Sequence, residues 1–372
     1  MNNTFKVLLI FSLLVFSSCK DDELSPNESV FYTGMDLSYQ PMLEKKGVTY
    51  FNQNGTAIEL LPFLNTQGVE LIRLRLWHTP STTHSSLQEV IAYSKRVKQA
   101  GMDVLLDIHY SDTWADPGHQ TIPQAWEGLT INDLADSVYQ YTKMVLTALA
   151  AENALPTMVQ IGNETNSGFL WDQGRVWGDF QSNWGNYAQL INQAAKAIEE
   201  QAALSQQEIA TMLHIAGVVN KQSFFQEIER QGVDYDVIGL SHYHYFHTRD
   251  LTALENQLHV LANTFKKPIM LVETNYPWTL QWNDWTHNWV GTEEVLIEGF
   301  AATPAGQQAY MEKMVEILKG IPNNRGLGFC WWAPDLVAFD GTQSTEGSFM
   351  ENLTTFDFNH QALPVFTVFQ NH

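Results

Sequence analysis

Eight short runs of apolar, β-branched and aromatic residues recur along the chain, each closed by polar side chains. They span residues 34–39, 69–77, 103–110, 158–164, 212–218, 236–243, 268–274 and 327–332. Between most of them the apolar positions fall at helical spacing, as over 87–100, 134–150 and 186–201. Strands alternating with helices predict an α/β fold with a parallel sheet. Eight such units predict one (β/α)8 TIM barrel over residues 30–372, with an open doubly wound sheet as the alternative. From residue 30 onward there is no composition break, internal repeat or low-complexity tract. The glycine signatures of dinucleotide and phosphate loops are absent, as is the Gly-x-Ser-x-Gly elbow of serine hydrolases.

The N-terminus reads differently. A short polar, basic stretch over 1–6 precedes an apolar run over 7–16, too short to span a bilayer as a mature helix. Ser17 and Ser18 then precede Cys19. This resembles a bacterial lipoprotein signal over 1–18 with lipidation at Cys19, although Phe16 stands where leucine is usual; the alternative is an ordinary secretory signal. Residues 19–29 would be an acidic tether, opening Lys20-Asp21-Asp22-Glu23. The expectation is an exported lipoprotein anchored through Cys19 in the outer membrane, at the surface of a Gram-negative bacterium. Cys330 is the second of only two cysteines, so no disulfide framework or four-cysteine metal site exists, and Cys330 is expected to be buried.

Charge narrows the partners. A formal net charge of -21 repels nucleic acid and anionic surfaces and suits a neutral ligand. The 12 tryptophans fit either a large core or a cleft that stacks on sugar rings. Nothing points to an obligate oligomer, and a monomer is expected.

In a barrel of this kind chemistry sits where the strands end. The runs end in Asp36-Leu-Ser38-Tyr39, in Arg73 and Arg75 before Trp77, and in Asp107-Ile-His109-Tyr110-Ser-Asp112-Thr-Trp114-Ala-Asp116. Later runs end in Asn163-Glu164, Ser241-His242-Tyr243-His244, Glu273-Thr-Asn275-Tyr276 and Trp331-Trp332. Glu164 and Glu273 each follow an apolar run, on the fourth and seventh strands. A rim ion pair would account for either alone. Together they suit glycosidic cleavage, in which one carboxyl protonates the leaving oxygen and the other attacks the anomeric carbon. Asn163 is placed to bond a sugar 2-hydroxyl. His109, His242, His244 and His247 offer a rival reading as metal ligands, which would need further ligands from other strands. His109 otherwise reads as an orienting hydrogen-bond partner at the sugar.

Taken in order, these stretches resemble glycoside hydrolase family 53, the arabinogalactan endo-β-1,4-galactanases. The resemblance rests on Gly34-Met-Asp-Leu-Ser-Tyr39, Ile72-Arg-Leu-Arg-Leu-Trp77, His109-Tyr-Ser-Asp-Thr-Trp-Ala-Asp-Pro117, Val159-Gln-Ile-Gly-Asn-Glu164, Asp236-Val-Ile-Gly-Leu-Ser241 and Val272-Glu-Thr-Asn-Tyr-Pro277. It implies a retaining mechanism on linear β-1,4-galactan of pectin, with Glu164 as acid/base and Glu273 as nucleophile. It also implies that Asp36, Arg75, His109, Asp112, Trp114, Asn163, Tyr243, Tyr276 and Trp332 surround the sugar, and that Arg75 bonds the nucleophile. A retaining pair predicts carboxyl groups about 5–5.5 Å apart. No cofactor is required, and a structural calcium in the late loops is allowed by the resemblance. The sixth strand departs from the family's usual Ser-Tyr-Tyr-Pro. Trp278, Trp282, Trp285 and Trp289, after the seventh strand, either extend the sugar cleft or pack their loop.

Overall fold

The computed structural model describes residues 30–370. The signal over 1–18, Cys19 and the tether over 19–29 lie outside the described residues. The eight expected strands are present as β1 (Tyr32–Asp36), β2 (Leu71–Leu76), β3 (Asp103–Ile108), β4 (Met158–Ile161), β5 (Ala210–Ala216), β6 (Val237–His242), β7 (Ile269–Thr274) and β8 (Gly326–Trp332). They pair in parallel in chain order, and β8 returns to pair with β1, so the sheet is a closed barrel rather than an open one. Helices over Leu87–Gln99, Ile131–Ala151, Trp184–Ser205, Gln222–Arg230, Leu251–Phe265 and Pro304–Lys319 form the outer layer. Several start where the sequence supplies a cap. Ser86, Thr130, Asp250 and Thr303 each accept a backbone N–H from the first turn.

The two-residue period of the strands divides the core. Outward positions such as Ile72, Leu74, Leu106, Ile108, Leu213 and Leu240 join the large core against the helices. Inward positions Leu71, Leu105, Met158, Met212, Val237, Met270 and Cys330 form an apolar floor. The floor leaves no room for side chains at every inward position. A Cβ on Gly34 would lie 2.5 Å from Cys330 Sγ, and one on Gly239 2.7 Å from Met212 Sδ. Cys330 is fully buried and unpaired, as expected.

Above this floor the inward positions turn polar, and Arg73 fills the centre. It is 1% exposed. Its Nη1 donates to Asp36 Oδ2 at 2.7 Å, and Nη2 lies 2.9 Å from both Asp107 Oδ2 and Glu273 Oε1. Nε donates to Gln160 Oε1 at 3.2 Å. One buried cation thus faces three buried carboxylates from β1, β3 and β7. Burial alone would raise the Asp107 carboxyl, but Arg73 and His109 hold it below the usual aspartate range.

The Arg73→Met variant should therefore lose about 3–5 kcal/mol of stability at neutral pH, because it strands buried charge. In the wild type, Asp107 stabilises the fold above its unfolded pKa, and that stability is lost as pH falls. In the variant the stranded carboxylates are relieved by protonation, so the gap between the two proteins should narrow at acid pH. Urea midpoints at neutral and acid pH test this; a gap that is small, or that widens in acid, would contradict it.

Candidate active site

The polar layer opens into a cavity of about 530 Å³ at the C-terminal ends of the strands. Glu164, Glu273, Asn163, Tyr243, Trp114 and Trp332 line it, with Tyr39, Asp116, Phe246, His247, Trp289 and Phe349. The local backbone explains how the two glutamates reach it. After β4 the chain turns through Gly162 at φ 74° and Glu164 at φ 47°. A Cβ on Gly162 would lie 2.7 Å from Thr165 Cγ2, so glycine is needed for space as well as φ. The left-handed Glu164 costs on the order of 1–3 kcal/mol, which the surrounding packing must offset. On β7 the pairing slips between Leu271 and Glu273 relative to β6, a bulge. Strict alternation would send Glu273 outward beside the inward Val272. The bulge instead turns both inward, and Thr274 faces Tyr310 behind the strand.

Ser241 Oγ lies 2.6 Å from Glu164 Oε1 and 3.4 Å from Glu273 Oε2. Adding these two lengths limits the separation of those oxygens to at most 6.0 Å. This suits a retaining pair and falls short of the roughly 6.5–9.5 Å of inverting pairs. The two carboxyls differ in their surroundings. Desolvation and the charge of Glu273 push Glu164 up to about 8, against the pull of Ser241 and Arg73. Burial also raises Glu273, but Arg73 bonds it directly and the Tyr243 hydroxyl donates to its Oε2 at 2.8 Å. Glu164 is thus the member that holds its proton at neutral pH.

Aromatic faces form the walls. Trp332 stacks on Trp289 with centroids 5.7 Å apart and planes 8° from parallel. Trp114 stands on the guanidinium of Arg75, 3.9 Å from its ring centre. Asn163 donates from Nδ2 to Ala115 O at 2.8 Å, while its Oδ1 accepts from Arg73 at 3.0 Å. Asp36 sits below the cavity on Arg73.

Four expectations need correction. Arg75 does not bond the nucleophile position; Arg73 does. Both point into the barrel, but Arg75 lies two residues nearer the mouth. There its guanidinium leaves the carboxylate layer, bonds Ser85 and His84, and is sandwiched by Tyr39, Trp77 and Trp114. His109 lies beneath the cavity wall. Its Nδ1 accepts the Ala115 N–H at 3.0 Å, so by this pairing Nε2 carries the proton and donates to Asp107 at 3.0 Å. Asp112 fastens loops outside the cavity, accepting the N–H groups of Thr79 and Gln124. Tyr276 is buried behind the site, stacked on Tyr310 at 4.2 Å, and its hydroxyl donates to Phe300 O.

Sequence reasoning placed Arg73, Ser241 and Tyr39 at strand ends without giving them a role, missed His214, and left Trp289 undecided. The period of two was the available signal on β6. Ser241 and Tyr243 share the inward face, whereas His242 is buried on the other. Of the four later tryptophans, Trp289 joins the cavity wall and Trp278 packs on Phe358. Trp282 and Trp285 are exposed. In the late loops Asp284 and Glu351 mostly accept backbone N–H groups. Glu351 Oε2, Asn288 Oδ1 and Asn352 Oδ1 remain buried without a hydrogen-bond partner among the described residues.

Known proteins share this frame. The chain is 40% identical over 348 residues to an uncharacterised protein of Niallia circulans, covering 91% of this chain and 93% of that one. It is 37% identical over 371 residues to an arabinogalactan endo-β-1,4-galactanase of Cellvibrio japonicus, covering 98% and 97%. Its structure matches the GH53 catalytic domain of Ignisphaera aggregans with a TM-score of 0.84 at 34% identity, over 91% of this chain and 95% of that domain. The family model described as glycosyl hydrolase family 53 matches residues 32–369. The barrel, its mouth and nearly every described residue fall within that match, and the chain belongs to glycosyl hydrolase family 53.

Proposed function

We propose that the protein is a retaining endo-β-1,4-galactanase that cleaves β-1,4-galactan by double displacement. The observation that carries the mechanism is one hydroxyl, Ser241, within reach of two carboxyls of unequal proton affinity. The choice of galactan is supported by the name of the Cellvibrio japonicus relative. In the first step Glu164 gives its proton to the glycosidic oxygen while the ionised Glu273 attacks the anomeric carbon, forming a glycosyl ester. In the second, Glu164 takes a proton from water, whose oxygen attacks the same carbon and releases Glu273. Arg73 and Tyr243 orient Glu273 for attack. Trp114, Trp289 and Trp332 offer apolar faces to the sugars. The leader and Cys19 read from the sequence add an outer-membrane lipid anchor and a place at the cell surface to this reading.

Linear β-1,4-galactan, β-xylan and β-mannan, incubated in parallel with the enzyme, should separate the substrates. Galacto-oligosaccharides should appear early and from galactan alone; cleavage of another glycan instead would leave the mechanism and remove the substrate. Glu164→Ala and Glu273→Ala should each lose about 10³-fold or more on galactan. Near wild-type rates in both would remove the assigned roles.

The pH profile carries a further expectation. The acid needs its proton, so kcat/KM on galactan should fall as pH rises through about 8, where Glu164 ionises. With an activated dinitrophenyl β-galactobioside, Glu164→Ala should lose that alkaline limb. If the limb persists in the variant, another group sets it.

A further inference from the structure

His214 lies on β5, faces the barrel interior and is completely buried. Its Nε2 is 2.8 Å from Ser241 Oγ, the hydroxyl that in turn reaches Glu164 Oε1 at 2.6 Å. Its Nδ1 sits between partners of opposite kind. Asn163 Oδ1, at 3.0 Å, can only accept; Gln160 Nε2, at 3.1 Å, can only donate. The Glu164 backbone N–H also points to Nδ1, at 3.4 Å. Both ring nitrogens therefore have a partner in either neutral tautomer.

Ser241 has a single proton and cannot give it to Glu164 and His214 at once. An ionised Glu164 takes that proton, so Oγ must accept from Nε2–H, and the bare Nδ1 accepts the Glu164 backbone N–H, the two Gln160 amide protons being shared among Nδ1, Asp107 Oδ1 and Gly162 O. In the free enzyme a protonated Glu164 with its proton on Oε1 donates to Oγ, which turns its own proton toward a bare Nε2, while Nδ1–H donates to Asn163. The competing path from Ser241 to Glu273 is 3.4 Å, well beyond the usual hydroxyl distance of about 2.7–2.8 Å.

We propose that His214 is a positioning residue for Glu164: it reverses the polarity of the Ser241 hydroxyl by holding its one ring proton on Nε2 when Glu164 is ionised and on Nδ1 when Glu164 is protonated. The inference rests on the reading of Glu164 as the acid/base. The ring is neutral in both states, so the only proton gained or lost overall is the one on Glu164. Burial and the Arg73 cation disfavour a charged ring, opposed by Asp107 and joined by His109. Glu164 itself faces Glu273, Arg73 and Asp116, the Lys221 cation acts on it, and the neutral phenols of Tyr243 and Tyr245 lie within reach of its charge. Those groups set where Glu164 titrates. Among the described side chains, Ser241 is the one that hydrogen-bonds its carboxyl, and His214 the ring that bonds Ser241 from behind.

The direct test is the imidazole ¹⁵N spectrum of histidine-labelled protein, with the His214 signals assigned by their loss in His214→Gln. On the two sides of the Glu164 titration, near pH 8, the protonated nitrogen should change from Nδ1 to Nε2 without the ring becoming charged. One tautomer on both sides would overturn the proposal. Kinetics give a second readout. In His214→Phe the Ser241 proton has no acceptor behind it and stays on Glu164, which favours the ionised form. The alkaline limb should then move to lower pH. Galactan cleavage should fall about tenfold or more beyond any loss on a dinitrophenyl β-galactobioside, whose leaving group needs no proton. His214→Gln, whose amide can present either N–H or C=O, should hold the limb near its original place. Equal losses on both substrates with an unmoved limb would reduce His214 to packing. Glu164→Ala, run alongside, keeps the two readings apart: if it treats both substrates alike, the acid/base role of Glu164 fails whatever His214 does.

Discussion

The site depends on one guanidinium held in the dry interior of the barrel. Arg73 has nowhere to discharge its cost except against Asp36, Asp107 and Glu273, and each of them has the same need of it. A buried pair of this sort is seldom a net gain over apolar packing. What it supplies here is geometry, because a planar fork with fixed donor directions leaves each carboxylate one favourable position. The asymmetry between the two glutamates follows. Glu273 sits on the cation and Glu164 does not, so burial acts on Glu164 with less opposition.

A second layer of order is aromatic. Arg75, which forms no ion pair among the described residues, lends its flat face to Tyr39, Trp77 and Trp114. Trp332 and Trp289 form the facing stack. These walls are stiff because each ring is backed by another ring or by a guanidinium. A sugar meeting them loses little to side-chain reordering, and its apolar C–H face finds a surface already in place.

Much of this was legible in the chain. Eight runs of β-formers with helices between them predicted the closed sheet, and polar residues at strand ends marked the mouth. The glutamate pair stood out because each closed an apolar run. What the pattern could not decide was depth. Arg73 and Arg75 have the same parity, and only the barrel's curvature tells which meets the carboxylates. Tyr276 and Asp112 belong to the motifs themselves, yet their loops carry them behind or outside the cavity. His214 sits inside β5 with no acidic or aromatic neighbour to draw notice, and its partner Ser241 is too common a residue to signal anything.

The bulge on β7 has a consequence for anyone who would transplant this chemistry. Were the segment Ile269–Thr274 grafted onto an ideal flat strand, the pleat alone would decide which side chains look inward, and Glu273 would look out. The reactive group is thus encoded less by its letter than by an irregularity shared with the neighbouring strands. Straightening the strand with every residue kept would preserve the barrel's outline while exchanging the carboxylate for Thr274 at the heart of the cleft.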